Sequence, residues 1–304
     1  MRCLERTRIN HCVVNGDFKK LVCWVNDSEA INYNFELKGD SFELYKNGEK
    51  MLTNIKNSDD GSIQCKTSSY SSYPEKAEKM SLSVFLDNPD KYVKTQEEYF
   101  KHKGRNDFSE KEFQFRLSKS LTVNNSAKRG FYSIIPEYIQ SSEDYSRADL
   151  IIIDYVPDGK SHFSLVEVKR GSQSLSSKNN GSGIRKHLQD YTSFLDSNRL
   201  IKTMINDAEL VFMQKAELGI IPGLAADEIA RTLDVDFSKT DIMFVLADVS
   251  EDDEVLTEEC EGIEWEKYVD YPIEFAFVDS SDCDYEHYRR ESIREFSKRW
   301  ITQK

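Results

Sequence analysis

Short segments in which apolar and polar residues alternate fill the first hundred positions, separated by turn-forming pairs. CVVN and FKKLVCWVN flank Gly16-Asp17, YNFELK and SFELYK flank Gly39-Asp40, and SFELYK and EKMLTNI flank Asn47-Gly48. SIQCKT and MSLSVFL follow. Alternation marks a strand with one buried face, and Asn-Gly between such runs is a strong hairpin signal. Strands at this spacing predict a small β-rich domain, a meander, barrel or sandwich, over residues 1–100. No catalytic motif stands out in it. Residues 87–107, DNPDKYVKTQEEYFKHKGRND, are polar, with Pro89 near one end and Gly104 near the other. The domain boundary is expected here, with a short connecting helix at 94–103.

From residue 101 the period changes. Phe113, Leu117 and Leu121 recur at i, i+4 and i+8, which predicts a helix over 109–121. FYSIIPEYIQ, ADLIIIDYV (148–156) and SLVEVKRG read as strands, and GSQSLSSKNNGSG as a long loop. Ile184, Leu188, Tyr191 and Leu195 place a helix at 183–197, and another is expected near 199–215. DIMFVLADV (241–249) and PIEFAFVD (272–279) are further strands, and Ile293, Phe296 and Trp300 share one face of a closing helix at 284–302. Strands and helices in this order indicate an α/β domain over 101–304.

Composition narrows the class. The 304 residues are 38% hydrophobic, 12% aromatic and 31% charged, which suits a packed globular chain. No apolar run approaches the ~18–20 residues of a membrane helix, and MRCLERTRINH lacks a signal-peptide core, so no membrane and a cytoplasmic location are expected. The six cysteines form no C-x-x-C and no zinc spacing, and read as free thiols.

The net charge of −13 is unevenly spread. Residues 101–202 hold 17 Lys/Arg against 12 Asp/Glu, whereas 203–284 hold 4 against 23. Binding follows the local field, so the basic stretch keeps a nucleic-acid partner open despite the acidic total. The acidic stretch reads as a solvated surface, a protein-binding surface or a partner for Arg289, Arg290, Arg294, Lys298 and Arg299 on the closing helix.

The strand SLVEVKRG stays apolar until Glu167 and Lys169 bracket Val168. Glu-x-Lys alone is weak, since Glu36-Leu37-Lys38 repeats it in what reads as an ordinary exposed hairpin. The second copy has context. Asp149 opens the run Leu150-Ile151-Ile152-Ile153, and a turn with Pro157-Asp158-Gly159 joins it to the Glu167 strand. An antiparallel pairing brings Asp149 toward Glu167. Two such carboxylates repel unless a cation lies between them, and hard oxygen donors suit Mg²⁺, with Mn²⁺ as a substitute. Lys169 points to the same side as Glu167, where an ammonium orients water or stabilises phosphorane charge. Asp149 also reads as a strand-end cap, and Glu167 with Lys169 as a surface ion pair.

These residues resemble the PD-(D/E)xK nuclease superfamily, over roughly 109–196. The resemblance implies a restriction-endonuclease-like mixed sheet flanked by helices. It implies a metal held by Asp149, Glu167 and the Val168 carbonyl, Lys169 as the catalytic lysine, and DNA phosphodiester hydrolysis leaving a 5′-phosphate. Ala148 stands where the family name has proline. Glu112, at the third position of a Ser109-Glu110-Lys111-Glu112 capping box, and Glu137 match acids that many members place near the metal. Nucleases like RecB carry Gln-x-x-x-Tyr on the next helix; here His187 takes the Gln position, Tyr191 the Tyr position, and Gln189 lies between. A nuclease domain behind an unrelated N-terminal domain is also similar to Shedu-type anti-phage nucleases, which implies a defence or restriction role. Arg170, Lys178, Arg185 and Lys186 are candidates for the phosphate backbone, and the N-terminal domain for sensing or homo-oligomerisation. The alternative is a catalytically silent nuclease-fold module that binds DNA or a protein partner.

Overall fold

The computed structural model describes residues 16–27, 33–38, 41–103, 109–123, 130–138, 148–180 and 183–301. CVVN, the Gly39-Asp40 turn, Gly104 and Arg147 lie outside these residues. The chain is mixed α/β, with one antiparallel sheet and one mixed sheet. It divides into two compact units, residues 1–128 with 209–232, and residues 129–208 with 233–304. The first unit therefore takes in the helix expected at 109–121 and a later segment as well, and does not end at residue 100.

The first unit is built on β1 (Tyr33–Lys38), β2 (Ser41–Lys46), β3 (Glu49–Asn57), β4 (Ile63–Thr67) and β5 (Lys79–Ser81), in that spatial order and antiparallel throughout. The Asn47-Gly48 turn has φ of 52° and 75° at its two residues, the positive values that a tight hairpin demands and that these residue types tolerate. One expectation fails here. FKKLVCWVN is part of a helix, α1 (Gly16–Asp27), and not a strand. Its Phe18, Leu21, Val22 and Val25 are buried at helical spacing, and Phe18 packs on Phe35 and Phe42 at 6.1 and 4.9 Å between centroids. MSLSVFL also divides, its start in β5 and its remainder in α2 (Leu82–Asp87).

Two further helices belong to this unit, α3 (Pro89–His102) and α4 (Glu110–Val123). Asn88 caps the first, and Ser109 Oγ accepts from the Glu112 amide at the start of the second. On α4, Lys119 is buried with its ammonium 3.4 Å from the Val25 carbonyl and from Asn26 Oδ1, at the C-terminal end of α1. A cation there meets the negative end of the helix dipole, while burial pulls the Lys119 pKa down to about 8. Glu36 of the decoy pair is not exposed as expected. Glu36 is 3% accessible and stands 4.0 Å from the buried Lys215, so it serves this core.

The second unit carries β6 (Gly130–Tyr138), β7 (Ala148–Tyr155), β8 (Lys160–Arg170), β9 (Asp234–Ala247), β10 (Ile273–Val278) and β11 (Arg290–Ser292). They lie in the order β11-β10-β9-β8-β7-β6. The pairs β6–β7, β7–β8 and β10–β11 are antiparallel, and β8–β9 and β9–β10 are parallel. A central position explains why β8 is buried on both faces almost throughout. The chain leaves β8 through α5 (Ser177–Asn180) and α6 (Ile184–Leu195), enters α7 (Asn198–Glu217) and α8 (Ala226–Thr232), and returns as β9. Then come α9 (Glu254–Glu261) and α10 (Ile293–Ile301). The closing helix is shorter than expected, because a turn at Tyr285–His287 and strand β11 occupy its first part.

One face of this sheet is aromatic. Phe244 on β9 and Phe275 on β10 stack at 5.0 Å, Phe296 of α10 stacks on Phe275 at 3.8 Å, and Tyr191 of α6 meets Phe244 edge-on. The register pairs Glu167 with Phe244 and Phe244 with Phe275, so Glu167 sits on this same face.

Candidate active site

The β7–β8 ladder pairs Asp154 with His162 at one end and Leu150 with Val166 at the other. Asp149 and Glu167 are the next residues along, at the point where the pairing stops. There the Asp149 side chain takes over from the backbone: its Oδ2 accepts from the Val168 amide at 2.8 Å. The expected cap and the expected convergence on Glu-x-Lys are one contact. It lays the Asp149 carboxylate against the peptide between Glu167 and Lys169.

Glu167 is 2% and Lys169 4% accessible, so their pair is buried and not on the surface. Lys169 Nζ donates to Glu167 Oε1 at 2.6 Å, and the Tyr191 hydroxyl donates to Oε2 at 2.5 Å. His187 Nε2 stands 3.1 Å from Oε1, close but not aligned as a hydrogen bond. The His187 and Tyr191 rings lie 5.8 Å apart, as expected for i and i+4 on one helix face. Burial raises the Tyr191 pKa well above the ordinary 10.0, and the charges of Glu167 and Asp149 add to it. The phenol is therefore a donor at neutral pH.

Sequence reasoning missed the group that holds α6 in place. Glu259, 1% accessible on α9, accepts from the Ser177 amide and the Arg185 amide, each at 3.0 Å, and from the Ser177 hydroxyl. Arg185 returns a bond from its guanidinium to the Glu259 carbonyl. Beside it Ser172 Oγ donates to Asp253 Oδ2 at 2.5 Å, while Asp253 Oδ1 caps α9. The stretch 171–183 is thus tied down at both ends. A Cβ on Gly183 would come within 2.2 Å of the Ser177 nitrogen, so only glycine fits where the stretch enters α6. The available signal was an acid on the apolar side of a helix, since Glu259 lies between Leu256 and Cys260, both buried.

The four cations expected to meet phosphate are all engaged. Arg170 Nε donates to Asp248 at 2.8 Å, Lys178 pairs with Glu258 at 2.9 Å, Lys186 pairs with Asp190, and Arg185 serves Glu259. Asp248, Glu258 and Glu259 come from the acidic stretch. The closing helix also spends its charges there, through Arg294–Asp270 at 2.7 Å and Arg299–Glu251 at 3.1 Å.

Three candidates remain. Gln189 is exposed on α6. Glu112 lies in the first unit, where its amide is capped by Ser109 and its carboxylate pairs with Arg116 at 3.2 Å. Glu137 is on β6, and its side chain lies outside the described residues.

Among the described residues, no group of three or more His, Cys, Asp or Glu side chains is arranged to hold a metal ion. The donors at the end of β7 and β8 are two carboxylates and the Val168 carbonyl. Mg²⁺ is commonly bound by one or two carboxylates with water completing its shell, so this oxygen set fits it in kind. Cys23, Cys65, Cys260 and Cys283 are free thiols, and burial pushes the Cys65 and Cys260 thiols far up, away from metal-ligating thiolates. Among the described residues no helix is long and apolar enough to cross a membrane. Comparison with protein-family models, with curated proteins and with solved structures finds no match to this chain.

Proposed function

We propose that this protein is a metal-dependent nuclease of the PD-(D/E)xK kind that hydrolyses DNA phosphodiester bonds. The observation that carries the reading is the 2.8 Å bond from the Val168 amide to Asp149, which draws Asp149, Glu167 and Lys169 to one end of two adjacent strands. The order of the second sheet supports it, with three antiparallel strands, intervening helices and a parallel strand beside β8. Asp149, Glu167 and the Val168 carbonyl would hold Mg²⁺, or Mn²⁺ in its place. When bound, the ion supplies Lewis acidity toward a phosphoryl oxygen and acidifies water.

The chain's own residues do the rest. Lys169 keeps a proton at Nζ beside the reacting phosphate and offsets charge that builds on it. Tyr191, held neutral, donates to Glu167 and fixes which way that carboxylate points. A part in anti-phage defence or restriction follows from the resemblance to Shedu-type nucleases alone.

A second reading has its own observation. Both oxygens of Glu167 already accept, from Lys169 and Tyr191, as in a settled structural carboxylate. On this reading the unit is a silent module that binds DNA or a protein partner. One assay separates the two. Wild type and Lys169→Ala are incubated with supercoiled plasmid, linear duplex and single-stranded DNA, with Mg²⁺, Mn²⁺ or EDTA. The nuclease reading expects cleavage that needs the metal and vanishes in the variant. A folded wild type that cuts none of these DNAs with either metal favours the silent module, and equal cleavage by both proteins sinks the assignment of Lys169.

A further inference from the structure

The first unit holds a cavity of about 150 Å³ between β4, β5, the turn residues 71–75 and α3. A cavity of about that size accepts one benzene-sized ring. Its walls are not those of a hydrocarbon pocket. Tyr73 and Tyr92 line it together with Thr67, Glu75, Glu78 and Lys91, residues that carry hydroxyl, carboxylate and ammonium groups. Lys91 Nζ lies 5.6 Å from the Tyr92 centroid, and the Tyr92 hydroxyl is turned to Met80 Sδ at 3.3 Å. A plain hydrocarbon ring would strip water from these polar groups and return nothing. A ring that carries both donors and acceptors on its edge would satisfy them.

Tyr73 also belongs to an aromatic surface outside the cavity. It meets Tyr99 edge-on at 5.3 Å and stacks with His102 at 5.6 Å, and Tyr99 in turn contacts Tyr70 at 5.1 Å. Lys103 Nζ stands 6.0 Å from the Tyr99 centroid. These tyrosines are half-buried and His102 is exposed. Partly open ring faces beside a cation form a stacking platform of the type that holds single-stranded nucleic acid without reading a duplex.

We propose that this cavity takes one unpaired pyrimidine base of single-stranded nucleic acid, with the adjoining base stacked on the Tyr73–His102 surface. The ring-sized volume suits a single ring better than a bicyclic purine. Carboxylates at the rim favour cytosine, whose exocyclic amino group donates to Glu or Asp, over uracil and thymine, which present a carbonyl there. Nucleic acid as the source of the base rests on the nuclease reading, whereas binding of the ring itself does not.

The test is a calorimetric titration of wild-type protein in EDTA with cytidine, uridine and adenosine, and then with short oligo-dC and oligo-dA. Nucleosides contain no phosphodiester bond, so the outcome is independent of whether the second unit cleaves DNA. Cytidine is expected to bind more tightly than uridine, and adenosine to bind most weakly. Tyr73→Ala is expected to weaken cytidine and oligo-dC by about 5- to 150-fold, the range for losing one stacked base. Should Tyr73→Ala disturb the fold, as read by circular dichroism, Glu78→Gln decides, because it must reduce the advantage of cytidine over uridine. No nucleoside binding to folded wild type, equal binding of all three, or an unchanged preference in Glu78→Gln each overturns the proposal.

Discussion

Lys169 and Glu167 project from the same face of β8 and form a buried ion pair, 2.6 Å from Nζ to Oε1. Two charges removed from water hold each other in place, and removing one strands the other. Lys169→Met is therefore expected to lower stability by about 3–5 kcal/mol in urea unfolding. The double variant Glu167→Gln/Lys169→Met should lose less than the sum of the single changes, by about 0.5–3 kcal/mol. Strict additivity would mean that the pair is not coupled.

Tyr191 gives the site a dependence on alkaline pH. Its phenol stays protonated in the folded protein because burial, and then the charges of Glu167 and Asp149, oppose ionisation. The unfolded phenol ionises near its ordinary value of about 10. Above that pH the unfolded state releases a proton that the native state keeps, so stability falls as pH rises. Below it, the contribution is fully present. Tyr191→Phe should remove up to about 1.4 kcal/mol per pH unit from this slope, and cost about 1–3 kcal/mol at neutral pH through the lost bond to Glu167. Denaturant midpoints collected from pH 7 to about 11 would reveal an unchanged slope, if Tyr191 were not the group responsible.

Glu259→Ala leaves two part-buried amides, those of Ser177 and Arg185, without their acceptor. A loss of about 2–4 kcal/mol is expected. The effect should spread along α6 to Tyr191 and His187. Hydrogen exchange would show it as lost protection over 175–188 with the β7 and β8 amides unchanged. Protection that stays intact over that stretch would remove Glu259 from its positioning role.

The cations near the site are held back from phosphate by the chain's own acids. Asp248→Asn and Glu258→Gln release Arg170 and Lys178. On the DNA-binding reading, each is expected to tighten duplex binding at low salt and to steepen the slope of log K against log salt by about 1. Fluorescence anisotropy at several salt concentrations measures both, and slopes equal to wild type would show that neither cation reaches DNA.

Much of this organisation was legible in the chain. The β2–β3 hairpin could be read because Asn47-Gly48 is chemically suited to its two positive φ values, and the strand run 148–170 because apolar residues fill it on both faces. The convergence of Asp149 on Glu-x-Lys followed from antiparallel pairing alone. By contrast, FKKLVCWVN reads as a strand after a Gly16-Asp17 turn, although Phe18, Leu21, Val22 and Val25 keep helical spacing. Burial of the Lys169 pair and the neutralisation of Arg170 and Lys178 were not legible, since their partners come from α6 and from the acidic stretch about 80 residues on. Glu36 misled for the same reason, its cation being Lys215.

The first unit is not continuous along the chain. Residues 209–232 complete it, with Lys215 beside Glu36 and the Gly219 carbonyl accepting from Asn26. During synthesis its sheet leaves the ribosome well before that piece, and residues 129–208 come between. The sheet made first thus cannot complete its unit by itself, and its buried carboxylate Glu36 waits for a lysine not yet translated. The order in which the two units mature is set by this threading of the polypeptide, and a chain cut after residue 128 would lack part of its own interior.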